Sequence, residues 1–388
     1  MAGTDADDLY AVDDLLDDEA RLVRSTVAAF VRERALPVIS EHFEHGTFPR
    51  ELVTGLAELG LLGMHLQGYG CAGASAVAYG VACEELEACD SAIRSFVSVQ
   101  GSLAMYAIRA FGSDEQRDRF LPEMAAGRLI GCFALTEPDA GSDPAAMRTR
   151  ARRDGDDWVI DGTKLWITNG SIAGVAVVWA ATDSGVRGFL VERDAHGLSA
   201  RDIDDKLSLR ASVTSELVFE SVRVSRAAAL PGATGLGAAL ACLNEARYGI
   251  AWGAMGAARA CYEAALSYSR ERTAFGKPIA AFQLTQQKLV DMATAMVQGR
   301  LVAQRLGALK DEGRVNPIQI SLAKRANVRS ALDIARSART VLGANGLTLR
   351  YPVARHMANL ETVLTYEGSE EVHTLVIGKA LTGEDAFG

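Results

Sequence analysis

The chain has 388 residues, 49% hydrophobic, 23% charged and 6% aromatic, enough for two or three domains with a large buried core and unlike a disordered or fibrous chain. Its 49 acidic and 40 basic side chains leave a formal charge of −9. The densest basic stretch, Arg148 to Arg153, is short and runs into an acidic turn, which argues against a nucleic-acid-binding surface.

The acidic excess gathers at the start. Asp5, Asp7, Asp8, Asp13, Asp14, Asp17, Asp18 and Glu19 precede the first base, Arg21, and read as a solvated face. This start is unlike a transit peptide, and the uncharged stretches 165–182 and 227–244 are broken by Asn169-Gly170 and Pro231-Gly232. A cytoplasmic protein is expected. From Asp18 to about Ile130 the texture is helical: Leu22, Val23, Val27, Phe30 and Val31 recur at three- and four-residue steps, as do Leu52, Leu56, Leu59 and Leu62. A glycine-rich loop, 67–75, interrupts before helix resumes over 76–86 and 114–126. His42 and His45 are spaced for a metal but read better as a surface helix end. The six cysteines include no CxxC pair, which predicts reduced thiols rather than zinc or a disulfide frame.

Between about 131 and 229 the pattern changes to strands. Alternation over 147–152 and 158–160 flanks an acidic Gly turn at 154–157, and 175–181, 188–192 and 216–224 are further candidates. After Leu236 the chain is helical again, with long amphipathic patterns over 284–309 and 318–342, the second stopped by Gly343 and Gly346. The predicted fold class is α+β multidomain: an N-terminal helical domain (1–130), a central antiparallel, barrel-like β-domain (131–235) and a C-terminal helical bundle (236–388).

No GxGxxG opens a helix after a strand, and GxxxxGK[ST], HExxH and GxSxG are missing, so four common chemistries lack their signatures. Four segments carry positive signal. Leu135-Thr-Glu-Pro-Asp-Ala-Gly-Ser-Asp143, after a strand expected to end at Pro138, offers backbone N–H groups and hydroxyls to a planar polar edge. Trp166 and Thr168, two apart, place an aromatic plane and a hydroxyl on one strand face. Arg272-Thr-Ala-Phe-Gly276 with Phe282-Gln283 gives a base and an amide after a long helix. Leu364-Thr-Tyr-Glu-Gly-Ser369 sets an acid beside a Gly-Ser turn.

Together, in this order over 18–387, these segments resemble the acyl-CoA dehydrogenase family of FAD flavoenzymes. Gly131–Pro138, Ser208–Ser212, Cys242–Gly253 and Thr365–Gly368 look most like its glutaryl-CoA dehydrogenase branch. The resemblance implies FAD contacts from Phe133, Leu135, Thr136 and Ser142 at the flavin edge, with Trp166 against one flank of the ring and Thr168 hydrogen-bonded to it. Arg272, Phe275 and Gln283 would meet a neighbouring subunit's FAD. Leu342, Gly343 and Gly346 match a further FAD-contact loop, in which Ala344 stands where a second Gly is common, and Ser369 replaces a commoner Thr.

It further implies Glu367 as the catalytic base that takes the proton next to the thioester carbonyl. The thioester oxygen would be held by the base's own backbone N–H and a ribityl hydroxyl of FAD. Glu87 and Arg94, seven apart, would share a face on a continuous helix and could pair; the plain reading is a surface ion pair. In the glutaryl-CoA branch the matching Arg, with Ser95 or Ser98, binds the distal carboxylate of the substrate. Tyr366 matches enzymes that decarboxylate, and Arg247 and Ser142 would line the substrate side. The implied reaction is oxidation of glutaryl-CoA to crotonyl-CoA and CO2, with an electron-transfer flavoprotein as acceptor and a homotetramer built as a dimer of dimers. The alternatives are dehydrogenation of another short or acidic acyl thioester, on CoA or a carrier protein, without decarboxylation, and a non-catalytic flavoprotein scaffold.

Overall fold

The structure, a computed structural model, describes residues 9–387. Asp5, Asp7 and Asp8 of the acidic run lie outside the described residues. Asp17 caps α1 (Asp18–Phe30), its carboxylate accepting from Ala20 N at 2.8 Å. A π-helical turn leads into α2 (Leu36–His45), which ends at Gly46 in the left-handed conformation. His42 there meets Thr47 (2.8 Å) and Glu51 (3.2 Å), so the pair marks a helix end. α3 (Leu52–Glu58) is shorter than the leucine spacing suggests and leaves Leu62 beyond it. α4 (Ala76–Cys89), α5 (Ser91–Ser98), α6 (Tyr106–Phe111) and α7 (Asp114–Ala125) follow, with a π-helical stretch, Val99–Met105, joining α5 to α6.

The sheet contains β1 (Gly131–Ala134), β2 (Arg150–Asp154), β3 (Asp157–Thr168), β4 (Val175–Thr182), β5 (Gly185–Glu192), β6 (Leu198–Asp202), β7 (Thr214–Ser225) and β8 (Ala229–Thr234), ordered β6-β7-β3-β2-β4-β5-β8 with β1 against β4. Two expectations for the β-domain need correction. β1 and β2 both run parallel to β4, so the sheet is mixed rather than antiparallel. The strand before the Thr-Glu-Pro loop ends at Ala134, not Pro138, because Glu137 turns inward to a buried lysine.

Then come α8 (Leu236–Glu271), a two-residue hairpin of β9 (Thr273–Ala274) and β10 (Lys277–Pro278), α9 (Gln283–Asp311), α10 (Pro317–Leu342), α11 (Pro352–Thr365) and α12 (Glu370–Thr382). α10 opens with Pro317 inside an Asn316/Gln319 capping box. α8 is buried along most of its length because small residues let neighbours approach: a Cβ on Gly80 of α4 would strike the Trp252 ring at 2.3 Å. The acidic run is not wholly a solvated face. Asp13 joins Arg24 and Arg300, the latter at 2.6 Å, over buried Glu84 and Glu85, which ties the N-terminal segment to α4 and α9. All six cysteines are free, and no helix of the described residues is long and apolar enough to cross a membrane.

Candidate active site

The expected continuous helix through Glu87 and Arg94 does not form. Asp90 is extended (φ −167°, ψ 142°) and its carboxylate caps α5, accepting from Ala92 N at 2.7 Å. The break still brings the two residues together: Arg94 Nε donates to Glu87 Oε2 at 2.6 Å, with both side chains 0% exposed. This is a fully buried pair, not a surface one. Ser91 donates to the other oxygen of Glu87 at 2.7 Å. A Cβ on Gly253 of α8 would lie 2.1 Å from Glu87 Oε2, so the pair needs a glycine behind it. Arg94 Nη2 hydrogen-bonds the Tyr366 hydroxyl, which Ser95 also meets at 3.2 Å, while Arg94 Nη1 is buried without a partner among the described residues. Ser98 is buried too, its hydroxyl unpartnered among the described residues.

Tyr366 and Glu367 occupy the turn between α11 and α12. Ser369 starts α12 as its cap, accepting from Val372 N at 3.4 Å. Glu367 (φ 51°) and Gly368 (φ 91°) are left-handed. Lys324 Nζ donates to the carbonyls of Tyr366 (2.8 Å) and Gly368 (2.6 Å), and Arg247 Nε to that of Glu367 (2.7 Å). Arg247 thus faces the backbone of the turn and also donates to Asn244 Oδ1 at 3.3 Å. Glu367 is half-buried, with Oε2 enclosed and unpartnered among the described residues. Burial pushes its carboxyl above the ordinary value of 4.5, against the opposing charges of Arg94, Arg247 and Lys324. Burial likewise lifts the Tyr366 phenol to about 12, with Arg94 opposing.

A brace holds the two halves in register. Arg355 of α11 donates to the Cys89 carbonyl (2.7 Å) and to Asp90 (2.5 Å), and Asn359 donates to Asp90 at 2.9 Å. The helix that delivers Tyr366 and Glu367 is thereby bolted to the kink that aims Arg94.

The β-domain residues form a second group. Phe133 and Leu135 are buried, and the Thr136 carbonyl accepts from Leu165 N at 2.9 Å, which sets half-buried Thr136 beside the end of β3. The two-residue alternation expected of Trp166 and Thr168 does not hold. The β3–β7 register shifts between Lys164 and Ile167, and Trp166 is left-handed (φ 62°) and 57% exposed. Glu137 closes the following loop, accepting from Arg148 N (2.5 Å), Thr149 N (2.9 Å) and buried Lys164 Nζ (2.8 Å). Ser142, in that loop, is exposed.

Arg272 and Phe275 lie at the hairpin, with Phe275 left-handed and 95% exposed, and Gln283 opens α9. A cavity of about 230 Å³ joins Phe275 and Phe282 to Thr340 and Val341 at the end of α10. Leu342 is buried, Gly343 and Ala344 are exposed, and a Cβ on Gly346 would meet the Arg339 carbonyl at 2.6 Å. Another cavity, of about 260 Å³ and lined by Arg50, Asp204, Lys206 and Arg210 among others, contains none of the predicted residues.

Sequence reading missed Lys324, Asp90, Arg355 and Gly253. Lys324 alone left a signal: it interrupts the apolar face of α10 between Ile320 and Val328, where a charged residue needs a buried acceptor.

Comparisons with known proteins agree over the whole chain. Family models described as acyl-CoA dehydrogenase N-terminal, middle and C-terminal domains match residues 17–128, 132–222 and 233–382. The chain is 36% identical over 370 residues to the mitochondrial short-chain specific acyl-CoA dehydrogenase of Bos taurus, covering 93% of this chain and 90% of that protein. A crystal structure of glutaryl-CoA dehydrogenase from Mycobacterium smegmatis is 62% identical with a TM-score of 0.98, covering both chains fully. A second from that organism, a complex with FADH2, is 56% identical with a TM-score of 0.99, again over both full chains.

Proposed function

The chain belongs to the acyl-CoA dehydrogenase family, and we propose that it oxidises and decarboxylates glutaryl-CoA to crotonyl-CoA and CO2. The observation that carries this reading is the buried Arg94, its Nη1 unpartnered among the described residues, linked through the Tyr366 hydroxyl to the turn that bears Glu367. A buried guanidinium N–H beyond its Glu87 pair needs an acceptor, and the distal carboxylate of a short dicarboxylic acyl chain supplies one.

The residues present suit FAD. Half-buried Thr136 and Thr168 with exposed Trp166 offer hydroxyls and an aromatic plane to a flat heterocycle, and the Glu137–Lys164 pair stiffens the loop between them. Phe133, Leu135 and Ser142 complete that contact, while Arg272, Phe275 and Gln283 serve a neighbouring subunit's FAD and Leu342, Gly343 and Gly346 form a further FAD-contact loop. When bound, FAD supplies the acceptor for the hydride lost from the β carbon.

Glu367 takes the α proton, and its raised pKa lets it keep that proton while the thioester is desaturated. Arg94, oriented by Glu87, grips the distal carboxylate, with Ser95 and Ser98 beside it. When that carboxylate leaves as CO2, its electron pair delocalises through the new double bond into the thioester. Glu367 then returns its proton and the product is crotonyl-CoA. A plain acyl chain would leave the buried Arg94 Nη1 without an acceptor, so the pocket disfavours it.

We assign the electron-transfer role to a flavoprotein acceptor and the assembly to a homotetramer in the cytoplasm. Exposed Phe275, Leu284, Val290, Leu347 and Leu381 support burial against further copies. The test is the absorbance of the FAD-loaded protein on anaerobic addition of glutaryl-CoA. Rapid bleaching in the wild type and none in Glu367→Gln, with FAD content equal, is expected. Equal bleaching in both would remove Glu367 as the base.

A further inference from the structure

Lys324 lies on α10 with 1% of its surface exposed. A buried ammonium must be solvated by protein, and the acceptors it meets are main-chain: the carbonyls of Tyr366 at 2.8 Å and Gly368 at 2.6 Å. The carbonyl between them, that of Glu367, takes the Arg247 Nε–H at 2.7 Å. Three successive carbonyls are therefore held by the donors of two basic side chains from two different helices. They span the stretch where Glu367 and Gly368 are left-handed. A left-handed glutamate costs roughly 1–2 kcal/mol and persists only where its surroundings over-determine it.

The peptide unit is planar and trans, so its C=O and N–H point in opposite directions. The unit whose carbonyl Lys324 grips at Tyr366 is the unit whose N–H belongs to Glu367. Pulling that carbonyl toward α10 aims the Glu367 N–H the other way, and no acceptor among the described residues takes it. The grip on Gly368 fixes the far side of the same residue, and with it the root of the carboxylate.

We propose that Lys324 is a positioning residue for the reaction: by clamping the carbonyls on either side of Glu367, it points the Glu367 N–H at the thioester oxygen and sets the carboxylate over the α carbon. The assignment rests on Glu367 being the base. A donor fixed before charge develops on the thioester oxygen needs no reorganisation when it does, and such donors are the larger part of enolate stabilisation. Lys324 touches neither substrate nor reacting atoms; it acts through the backbone it holds.

The experiment uses the FAD-loaded protein and Lys324→Met, which keeps an unbranched chain and removes the donors. The first readout is the infrared stretch of the ¹³C-labelled thioester carbonyl in bound crotonyl-CoA, which needs no turnover. It is expected at lower frequency than in free crotonyl-CoA for the wild type and close to the free value for Lys324→Met. The second is the kinetic split: kcat for glutaryl-CoA falls about 100-fold while KM changes less than about threefold. Lys324→Arg, which restores a cation with several donors, recovers the carbonyl shift and part of kcat. If Lys324→Met does not fold, Lys324→Leu, which also lacks donors, is read in the same two assays. A wild-type carbonyl shift in the neutral variant overturns the proposal, whether or not kcat has fallen. Glu367→Gln separates this failure from that of the underlying reading, because it retains the backbone N–H. It should keep the shift and lose turnover; surviving turnover would discard the base itself, and Lys324 with it.

Discussion

Replacing Arg94 by methionine removes a guanidinium that is 0% exposed and leaves Glu87, also 0% exposed, with the Ser91 hydroxyl at 2.7 Å in place of its 2.6 Å ion pair. Breaking a buried pair from one side strands a charge in a medium that solvates it poorly, and costs about 3–5 kcal/mol. Arg94→Met combined with Glu87→Gln removes both charges and should recover most of that loss. Urea unfolding of the FAD-loaded protein reads both variants, and the double variant should be the more stable of the two. The effect on the reaction is separate. Two charge-assisted bonds to the distal carboxylate, at roughly 1.5–3 kcal/mol each, predict a fall of about 100-fold or more in kcat/KM for glutaryl-CoA. Butyryl-CoA, which has no distal carboxylate, should lose little or gain. Equal losses for both thioesters would refute a recognition role for Arg94. A single variant as stable as the wild type would refute the buried-pair energetics.

Gly253→Ala puts a Cβ 2.1 Å from Glu87 Oε2 and 3.2 Å from Arg94 Nε, so it should cost about 1–3 kcal/mol by overpacking and lower the preference for glutaryl-CoA over butyryl-CoA; unchanged unfolding and selectivity would contradict the contact. The acidic limb of kcat/KM should titrate above 4.5, because the base must be ionised and burial raises it; since Arg94 opposes that rise, Arg94→Met should move the limb further up, and a limb moving down would contradict the assignment. The same shift has a stability sign. A carboxyl whose folded-state pKa exceeds its unfolded value favours the fold below 4.5 and loses that contribution as pH rises through the folded value, so Glu367→Gln should gain stability relative to wild type at pH 8 compared with pH 4, read from unfolding midpoints. Lys164→Met strands buried Glu137 and frees the 137–148 loop, so FAD content at a fixed FAD concentration should fall; full occupancy would show that the loop needs no such brace.

Much of the fold is legible because its periodicities are long. The stretches 284–309 and 318–342 read as helices and are, within a few residues of α9 and α10. β6 and β8 were missed because their alternation is weak: β6 pairs along one side only, and β8 contains Pro231-Gly232. The parallel pairing of β1 and β2 with β4 is a non-local property that no short pattern encodes. At the site, Glu367, Tyr366 and Arg94 are legible through their motifs, but the kink that aims Arg94 is not. Asp90 breaks the helix because it finds Arg355 and Asn359, 265 and 269 residues later. Spacing alone therefore paired Glu87 with Arg94 for the wrong geometric reason. Trp166 shows the same limit, since a bulge replaces the two-residue alternation that first drew attention to it.

The most direct measurement is the product formed from glutaryl-CoA by the FAD-loaded protein with an artificial electron acceptor, identified by mass with CO2 trapped in parallel. Crotonyl-CoA and one equivalent of CO2 are expected. Glutaconyl-CoA alone would contradict the decarboxylation assigned to the Arg94–Tyr366–Glu367 arrangement, and unreacted glutaryl-CoA beside a flavin that other acyl thioesters reduce would contradict the substrate.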